Sequence, residues 1–510
     1  MEILQNLQLG FSIALSPWTL MLAVAGCFIG TIVGALPGLG LSNGVAIMIP
    51  LTFSLSLDAT SSLVLLTSIY YGAMYGGRIS SILLNIPGDE PAMMTTLDGY
   101  PMAKAGRAAD ALVISGVASF VGALLATIGL AILAPALSRI AFEFGPSEYF
   151  ALYLLAFCTL GGVASNNQAK AAFASCLGIG IAMVGLDPNS GTPRLTGGNL
   201  HLYDGVDFLV AIVGLFAVSE VFFFIESHGK SGTSNVKLGK VRVPWRDIFE
   251  VRWVMLRSSI LGFICGVLPG AGASLGSFMI YVTEKGIAGE KGGFGTGVPK
   301  GVAAPEAGNN AAAGGALVPM LTLGVPGSGT TAVLLAVLVT LNITPGPMLF
   351  VEEKEVVWGL IASLLIANFV LLAMNVPMVK VFVKILEVPP AALMPAVTMI
   401  SMVGIFSLTG SYFDLILVVA FGVLGYVLRK MDIPTVPVIL GILLGRKMEK
   451  SLRDAMVLSD GSAWGLIYTR PSDPTNPSMI ASGLLIAAVL GFVAPMFLRR
   501  ILRKPQRVSD

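Results

Sequence analysis

Charge is what this sequence has least of. Only 12% of its 510 residues are Asp, Glu, Lys or Arg, against about 25% in an average soluble protein. Histidine is scarcer still, with His201 and His228 the full complement. Two histidines offer little for a His-based metal site and no plausible member of a Ser-His-Asp triad. The four cysteines, Cys27, Cys158, Cys176 and Cys265, lie within apolar runs without metal-ligand spacing and read as small hydrophobes. No G-x-x-x-x-G-K-[ST] loop is present, which removes ATP hydrolysis as an energy source. No basic stretch is interleaved with aromatics, so nucleic-acid binding has no support. The N-terminus lacks the basic start and small-residue cleavage pattern of a removed signal peptide, so its first apolar run reads as a permanent span. On these absences the chain is not an enzyme and carries no cofactor. Any energy it uses comes from an ion gradient.

What is present is apolar: 55% of the residues are hydrophobic, in many runs approaching the roughly 20 residues needed to cross a bilayer. The expected fold is an all-α polytopic membrane protein. Long spans are expected near residues 109–134, 147–164, 168–186 and 205–227. Further spans are expected near 331–343, 355–380, 391–409, 411–428, 433–445 and 479–498. The stretch 227–257 carries seven Lys or Arg against Asp247 and Glu250, and reads as a hinge between two halves. The division is therefore 1–226 as a first transmembrane repeat, 227–254 as a basic cytoplasmic linker, 255–470 as a second repeat, and 471–510 as a C-terminal helix with a basic tail. Short-loop Lys and Arg set orientation. The hinge and the tail residues Arg499, Arg500, Arg503, Lys504 and Arg507 are expected in the cytoplasm, and the Lys/Arg-free residues 1–16 outside.

One stretch occurs twice. Residues 34–42 read Gly-Ala-Leu-Pro-Gly-Leu-Gly-Leu-Ser, and residues 266–274 read Gly-Val-Leu-Pro-Gly-Ala-Gly-Ala-Ser. A second pair follows, Ile86-Pro87-Gly88 and Val325-Pro326-Gly327. Pro removes a backbone donor and Gly turns where other residues cannot. Within hydrocarbon, the freed backbone groups need protein, water or ligand, and matched interruptions in two halves point to a transporter's substrate site. With the first break entered from outside and the second from inside, the halves form two inverted-topology repeats with broken or re-entrant helices. The run Met255–Leu268 would be about 21 Å long as a helix, too short for a core of about 30 Å.

The expected site gathers Pro37, Gly38, Gly40, Ser42 and Asn43 with Asn85, Pro87 and Gly88 from the first half. From the second it gathers Pro269, Gly270, Gly272, Ser274, Asn309, Asn310, Pro326, Gly327, Ser328, Thr330 and Thr331. Thr95, Thr96 and Ser277 lie nearby. Exposed helix N-termini favour anions, and exposed carbonyls, near Gly38 and Gly270 above all, suit Na⁺. The competing reading is that Gly and Ser merely let helices pack closely. Arg78 stands among apolar and small residues, either as an intramembrane partner or as a snorkelling side chain. Glu220 is expected to pair with a hinge cation. Lys170, Arg194 and Glu306 fall at segment edges, where no special role is expected. A gated ion channel and a passive scaffold for another transport subunit are the alternatives from other classes.

The motifs together resemble the TctA family, the large membrane subunit of tripartite tricarboxylate transporters. The resemblance rests on Gly34-Ala-Leu-Pro-Gly-Leu-Gly, Ile86-Pro-Gly with Thr95-Thr-Leu-Asp-Gly-Tyr-Pro-Met-Ala-Lys, and Phe144-Gly-Pro-Ser-Glu-Tyr. It continues in Gly191-Thr-Pro-Arg, Gly266-Val-Leu-Pro-Gly-Ala-Gly-Ala, Pro299-Lys-Gly-Val-Ala-Ala-Pro-Glu-Ala-Gly-Asn-Asn and Gly324-Val-Pro-Gly-Ser-Gly-Thr-Thr. It implies a bacterial inner-membrane secondary transporter for carboxylates such as citrate, coupled to Na⁺ or H⁺. Its partners would be a small four-helix membrane subunit and a periplasmic solute-binding protein, besides membrane lipid. Relatives in the wider ion-transporter grouping move a substrate-bearing domain like an elevator. The chain departs from the family pattern at Ser42-Asn43, where many members have Pro-Thr, and places Asp89-Glu90 directly after Pro87-Gly88.

Overall fold

The computed structural model describes residues 2–36, 40–164, 167–226, 243–268, 272–375, 377–378, 381–382, 390–459, 461, 478 and 480–489. Apart from one antiparallel two-residue strand pair, Gly185–Leu186 with Pro193–Arg194, the regular structure there is helical. The helices are α1 (Glu2–Ala14), α2 (Pro17–Ala35), α3 (Leu41–Ser54), α4 (Ala59–Leu84), α5 (Met93–Met102), α6 (Ala108–Ala141), α7 (Pro146–Ala164) and α8 (Gln168–Ala182). Next comes α9 (Phe208–Glu226), followed by α10 (Arg252–Val267), α11 (Gly272–Ala288), α12 (Pro299–Gly315), α13 (Leu317–Leu323) and α14 (Gly329–Thr340). Then come α15 (Lys354–Asn375), α16 (Pro390–Thr409), α17 (Tyr412–Lys430) and α18 (Val436–Leu458), and there are shorter helices at Trp245–Glu250, Leu349–Glu352 and Ile480–Val489. Among the described residues, α2, the continuous stretch Met93–Ala141, α9, α15 and α17 are long and apolar enough to cross a membrane. This is an all-α membrane protein.

Hydropathy alone separates an apolar stretch at 59–75 from another at 80–85 and makes 89–107 and 284–306 polar connecting segments; all three expectations are corrected. The apolar stretches 59–75 and 80–85 are one helix, α4, because the Arg78 between them is hydrogen-bonded through Nε and Nη1 inside the protein and gives the chain no reason to break. The expected polar loop 89–107 contains α5, which runs through a π-turn at Ala103–Arg107 into α6. Gly106 takes φ +82° there, a conformation that favours glycine. The expected polar segment 284–306 is also largely helical: α11 runs to Ala288, and α12 begins at Pro299. Helix α10 spans 16 residues, about 24 Å, and so remains shorter than the hydrocarbon core.

The chain forms two compact units, one from residues 1–141 and 209–426, the other from 142–208 and 427–510. Each draws on two separate stretches, one from either half of the sequence, so compactness groups the residues differently from sequence repetition. In the second unit α18 packs on α7 and α8, and Arg446 donates to the carbonyls of Ala182 (2.9 Å) and Val184 (2.7 Å) at the end of α8. The adjoining loop is tied to α18 by Arg194–Glu449 (2.8 Å) and Arg453–Asp187 (3.0 Å).

Within the first unit the same local contacts occur twice. Helix α2 lies on α4 so closely that Gly30 and Gly34 abut the backbone of Ile69 and Ala73, with no room for a side chain. Helix α10 lies on α12 in the same way, with Gly262 and Gly266 against Gly308 and Ala312. The approach is reciprocal: Gly76 faces Thr31 and Ala35, and Gly315 faces Phe263 and Val267. Aligning Gly34 with Gly266, and Gly88 with Gly327, maps each of these pairs onto the other. The helix after each first break starts at a left-handed glycine, Gly40 (φ +70°) or Gly272 (φ +60°). Each second break opens on a left-handed residue, Asn85 (φ 57°) or Gly324 (φ 66°). The long helices are exchanged between the pairs: α6 packs on α10 and α12, α15 on α2 and α4. They also touch each other through Phe120–Phe369 and Asn368–Thr127.

Candidate functional site

The breaks meet across the two halves. Ser42 Oγ, in the first turn of α3, lies 3.1 Å from Thr330 Oγ1, in the first turn of α14. The first break of one half thus faces the second break of the other. The reverse pairing also holds: Ser274 Oγ, in the first turn of α11, donates to Glu90 Oε2 at 3.2 Å, and Ser277 Oγ donates to the Pro91 carbonyl at 2.8 Å. Two pairs of helix N-termini result, α3 with α14 and α11 with α5. The first N–H groups of each helix lack the usual partner one turn back, and each N-terminus carries about half a positive charge.

The two pairs differ in what they hold. Helix α3 starts at Gly40, which has no side chain to cap it. Helix α14 is closed by a reciprocal box, in which Ser328 Oγ accepts from Thr331 N–H (3.2 Å) and Thr331 Oγ1 accepts from Ser328 N–H (2.8 Å). Ser328 and Thr331 are thereby fixed locally, while Thr330 turns to Ser42. At the other pair the chain supplies acids itself: Asp89 Oδ1 accepts from Ala92 N–H (2.7 Å) at the start of α5, beside Glu90 on Ser274.

The remaining expected residues fall as follows. Asn43 donates to Glu220 Oε2 at 3.3 Å. Gly88 and Gly327 sit tightly against Gly77 and Ala316, and Gly88 N–H donates to the Gly77 carbonyl at 3.4 Å. Pro326 is buried and Pro87 partly so. Asn309 is fully buried with neither amide atom hydrogen-bonded, whereas Asn310 Nδ2 is satisfied by the Glu306 carbonyl at 3.0 Å. Asn85 is exposed and serves as the left-handed end of α4. Pro37, Gly38, Pro269 and Gly270 lie outside the described residues, and with them the carbonyls expected to hold Na⁺.

Two buried charges, Glu306 and Asp98, were not legible as such, and a third, Arg78, decides between its two expected readings. Glu306, expected at a segment edge, is fully buried in the middle of α12, because that helix begins seven residues earlier at Pro299. Its carboxylate accepts from Thr95 Oγ1 (2.5 Å) and Ser119 Oγ (3.0 Å). Arg78 does not snorkel. It is 2% exposed and donates to Ser115 Oγ (2.7 Å) and to the carbonyls of Leu112 (2.6 Å) and Tyr75 (2.9 Å). Gly116 leaves the space that its guanidinium fills. Ser115 and Ser119, one turn apart on α6, therefore hold Arg78 and Glu306 in mutual Coulombic range. Asp98 is fully buried and ties α5 to the start of α12, accepting from the N–H groups of Gly295 (2.9 Å), Gly297 (2.9 Å) and Val298 (3.0 Å) and from Tyr281 Oη (2.8 Å). Asn309-Asn310, adjacent amides in an Ala/Gly-rich stretch, was the one sequence signal that this segment is more than a loop, and residues 301–310 are buried.

A family model described as the tripartite tricarboxylate transporter TctA family matches residues 20–440. The chain belongs to the TctA family. It is a transporter component and not an enzyme, and as a member of a tripartite system it works with other subunits. A protein of Agrobacterium vitis, described as an uncharacterized 52.8 kDa protein in the TAR-I ttuC' 3' region, is 36% identical over 489 residues, 96% of each chain. A second, described as an uncharacterized protein in the TAR-II ttuC' 3' region of the same organism, is 37% identical over 224 residues, 44% of this chain and 91% of the relative. No solved structure matches.

Proposed function

We propose that this TctA protein is a secondary importer of a carboxylate, citrate or a related organic acid, driven by a Na⁺ or H⁺ gradient and fed by a periplasmic solute-binding protein. The observation that carries the proposal is the meeting of α3 and α14 at Ser42 and Thr330. Two helix N-termini from opposite halves supply N–H groups, hydroxyls and a local positive potential of about one charge. That combination recognises a carboxylate without a cationic side chain and releases it readily. In the low dielectric of a membrane, such backbone donors act far more strongly than in water.

The remaining parts of the reading follow from the same features. The residue-by-residue correspondence of α2–α4 with α10–α12 supports two repeats, and the basic hinge and tail support their inverted orientation in a bacterial inner membrane. The N-terminus is then periplasmic and the C-terminus cytoplasmic. Elevator-like movement of the break-bearing helices delivers the substrate across the bilayer. A small four-helix membrane subunit completes the assembly. Labelled citrate uptake into proteoliposomes tests the proposal, using the chain with its small subunit, with and without the binding protein and an inward Na⁺ or H⁺ gradient. Accumulation requiring the binding protein and one gradient is expected. Equilibration without either, down the citrate gradient alone, would indicate a channel and refute the proposal.

A further inference from the structure

The two pairs of helix ends are built on one plan but carry different groups at matching positions. Where the second half has Ser328-Gly329, the first has Asp89-Glu90. The larger Asp89 side chain is accommodated because Gly77, against which it packs, stands where the other half has Ala316. Asp89 is 5% exposed, and its Oδ2 has no hydrogen-bond partner. Asn309 is fully buried with Oδ1 and Nδ2 both unpartnered. Unpartnered polar atoms are rare inside proteins and call for an explanation.

The repeat brings these groups toward one another. Asn309 corresponds to Tyr70, whose hydroxyl lies beside Ser328, and Ser328 corresponds to Asp89. The same relation carries Asn309 toward Asp89. Glu306, one turn from Asn309 on α12, lies within Coulombic range of Asp89. The charged groups acting on Asp89 are Glu90 and Glu306, both acids, while Arg78 is held in Coulombic range of Glu306. A buried carboxylate left with negative neighbours and an idle oxygen is an incomplete ion pair.

We propose that Asp89, just before α5, and Asn309, on α12, form a Na⁺ site distinct from the carboxylate site at α3 and α14. Na⁺ is a hard cation, and the Asp89 carboxylate with the Asn309 amide oxygen gives it charge and oxygen ligands together. The division of labour is then built into the repeat: one pair of helix ends receives an anion, and its counterpart, carrying its own acids, receives the cation. This assignment rests on the transporter reading above and identifies the ion that would drive it.

The test measures ²²Na⁺ binding to the purified full-length chain by scintillation proximity, independently of transport. Wild-type protein should bind Na⁺ saturably. Asp89→Asn, which keeps the shape, should raise the Kd by more than the roughly 10–100-fold cost of losing a group that merely orients a ligand. Asn309→Ala, approaching the site from another helix, should weaken binding in the same direction and serves if Asp89→Asn does not fold. Unaltered Na⁺ affinity in both variants would overturn the site. So would absent Na⁺ binding in wild type together with proton-driven uptake that Asp89→Asn abolishes, since Asp89 would then carry a proton. Na⁺ binding that depends on Asp89 in a protein that transports no carboxylate would uphold the site and reject the transporter reading alone.

Discussion

Asp98 gives the clearest measure of what holds the break-bearing helices in place. It lies on α5 but serves α12, collecting three backbone N–H groups and a tyrosine hydroxyl on one carboxylate. Hydrogen bonds to a charged acceptor contribute about 1.5–3 kcal/mol each, and a buried donor left alone costs about 1–3 kcal/mol. Replacing Asp98 by Ala removes four such bonds, and water entering beside the 289–298 loop recovers part of the loss. The expected net cost is about 3–5 kcal/mol, comparable to breaking a buried charged pair. Asp98→Asn keeps one carbonyl oxygen and should cost about half as much, while Tyr281→Phe removes a single hydroxyl and should cost about 1.5 kcal/mol. The assay is unfolding of purified protein in mild detergent, combined with limited proteolysis of the 289–298 loop. The ordering Ala, then Asn, then Phe is the signature. Asp98→Ala within about 1 kcal/mol of wild type would show that α12 does not depend on this cap.

The Arg78–Glu306 cluster predicts non-additivity. Arg78→Met and Glu306→Gln should each destabilise by about 3 kcal/mol, and the double variant by clearly less than the sum, because each single change leaves a buried charge uncompensated; additive losses would show that the two do not interact. Gly30→Val and Gly262→Val should be equally damaging, by about 3 kcal/mol or more, since both force a branched side chain against helix backbone; a benign effect in one alone would contradict the repeat. In the second unit, hydrogen bonds from the Asn189 N–H and then from Arg453 hold the Asp187 carboxyl down at about 2, below its ordinary value. Its contribution to stability is therefore full above about pH 4 and lost as pH falls through about 2. Asp187→Asn should flatten that part of a thermal-melt profile taken against pH, and an unaltered profile would refute the assignment.

The sequence made the breaks legible because Pro-Gly pairs have few other uses inside apolar runs. It also made helix limits legible wherever hydropathy changed sharply, as at α7, α16 and α17. It failed between Glu284 and Glu306 because Pro299, Lys300, Gly301 and Pro305 imitate a loop. In the folded chain Pro299 occupies the first turn of α12, where its missing N–H costs nothing, and Asp98 satisfies donors just upstream. Asp98-Gly99-Tyr100-Pro101 imitated a loop for the same reason. The site was legible only as a set. Ser42, Ser274 and Thr330 stood out as hydroxyls beside breaks, yet nothing local states that Ser42 meets Thr330 while Ser274 meets Glu90. Such pairing depends on how two distant halves dock. Glu306 was discounted by its position at a segment edge, and only the fold shows that it is fully buried.

The central claim is that helix ends from opposite halves jointly bind the carboxylate. Equilibrium binding of labelled citrate to purified protein tests it directly, comparing wild type with Ser42→Ala, Thr330→Val and the double variant. Each single change should lower affinity by about tenfold, or about 1.4 kcal/mol, with the double variant little worse than either, because the two hydroxyls act as one contact. Wild-type affinity in all three would place the substrate elsewhere in the chain and contradict the account.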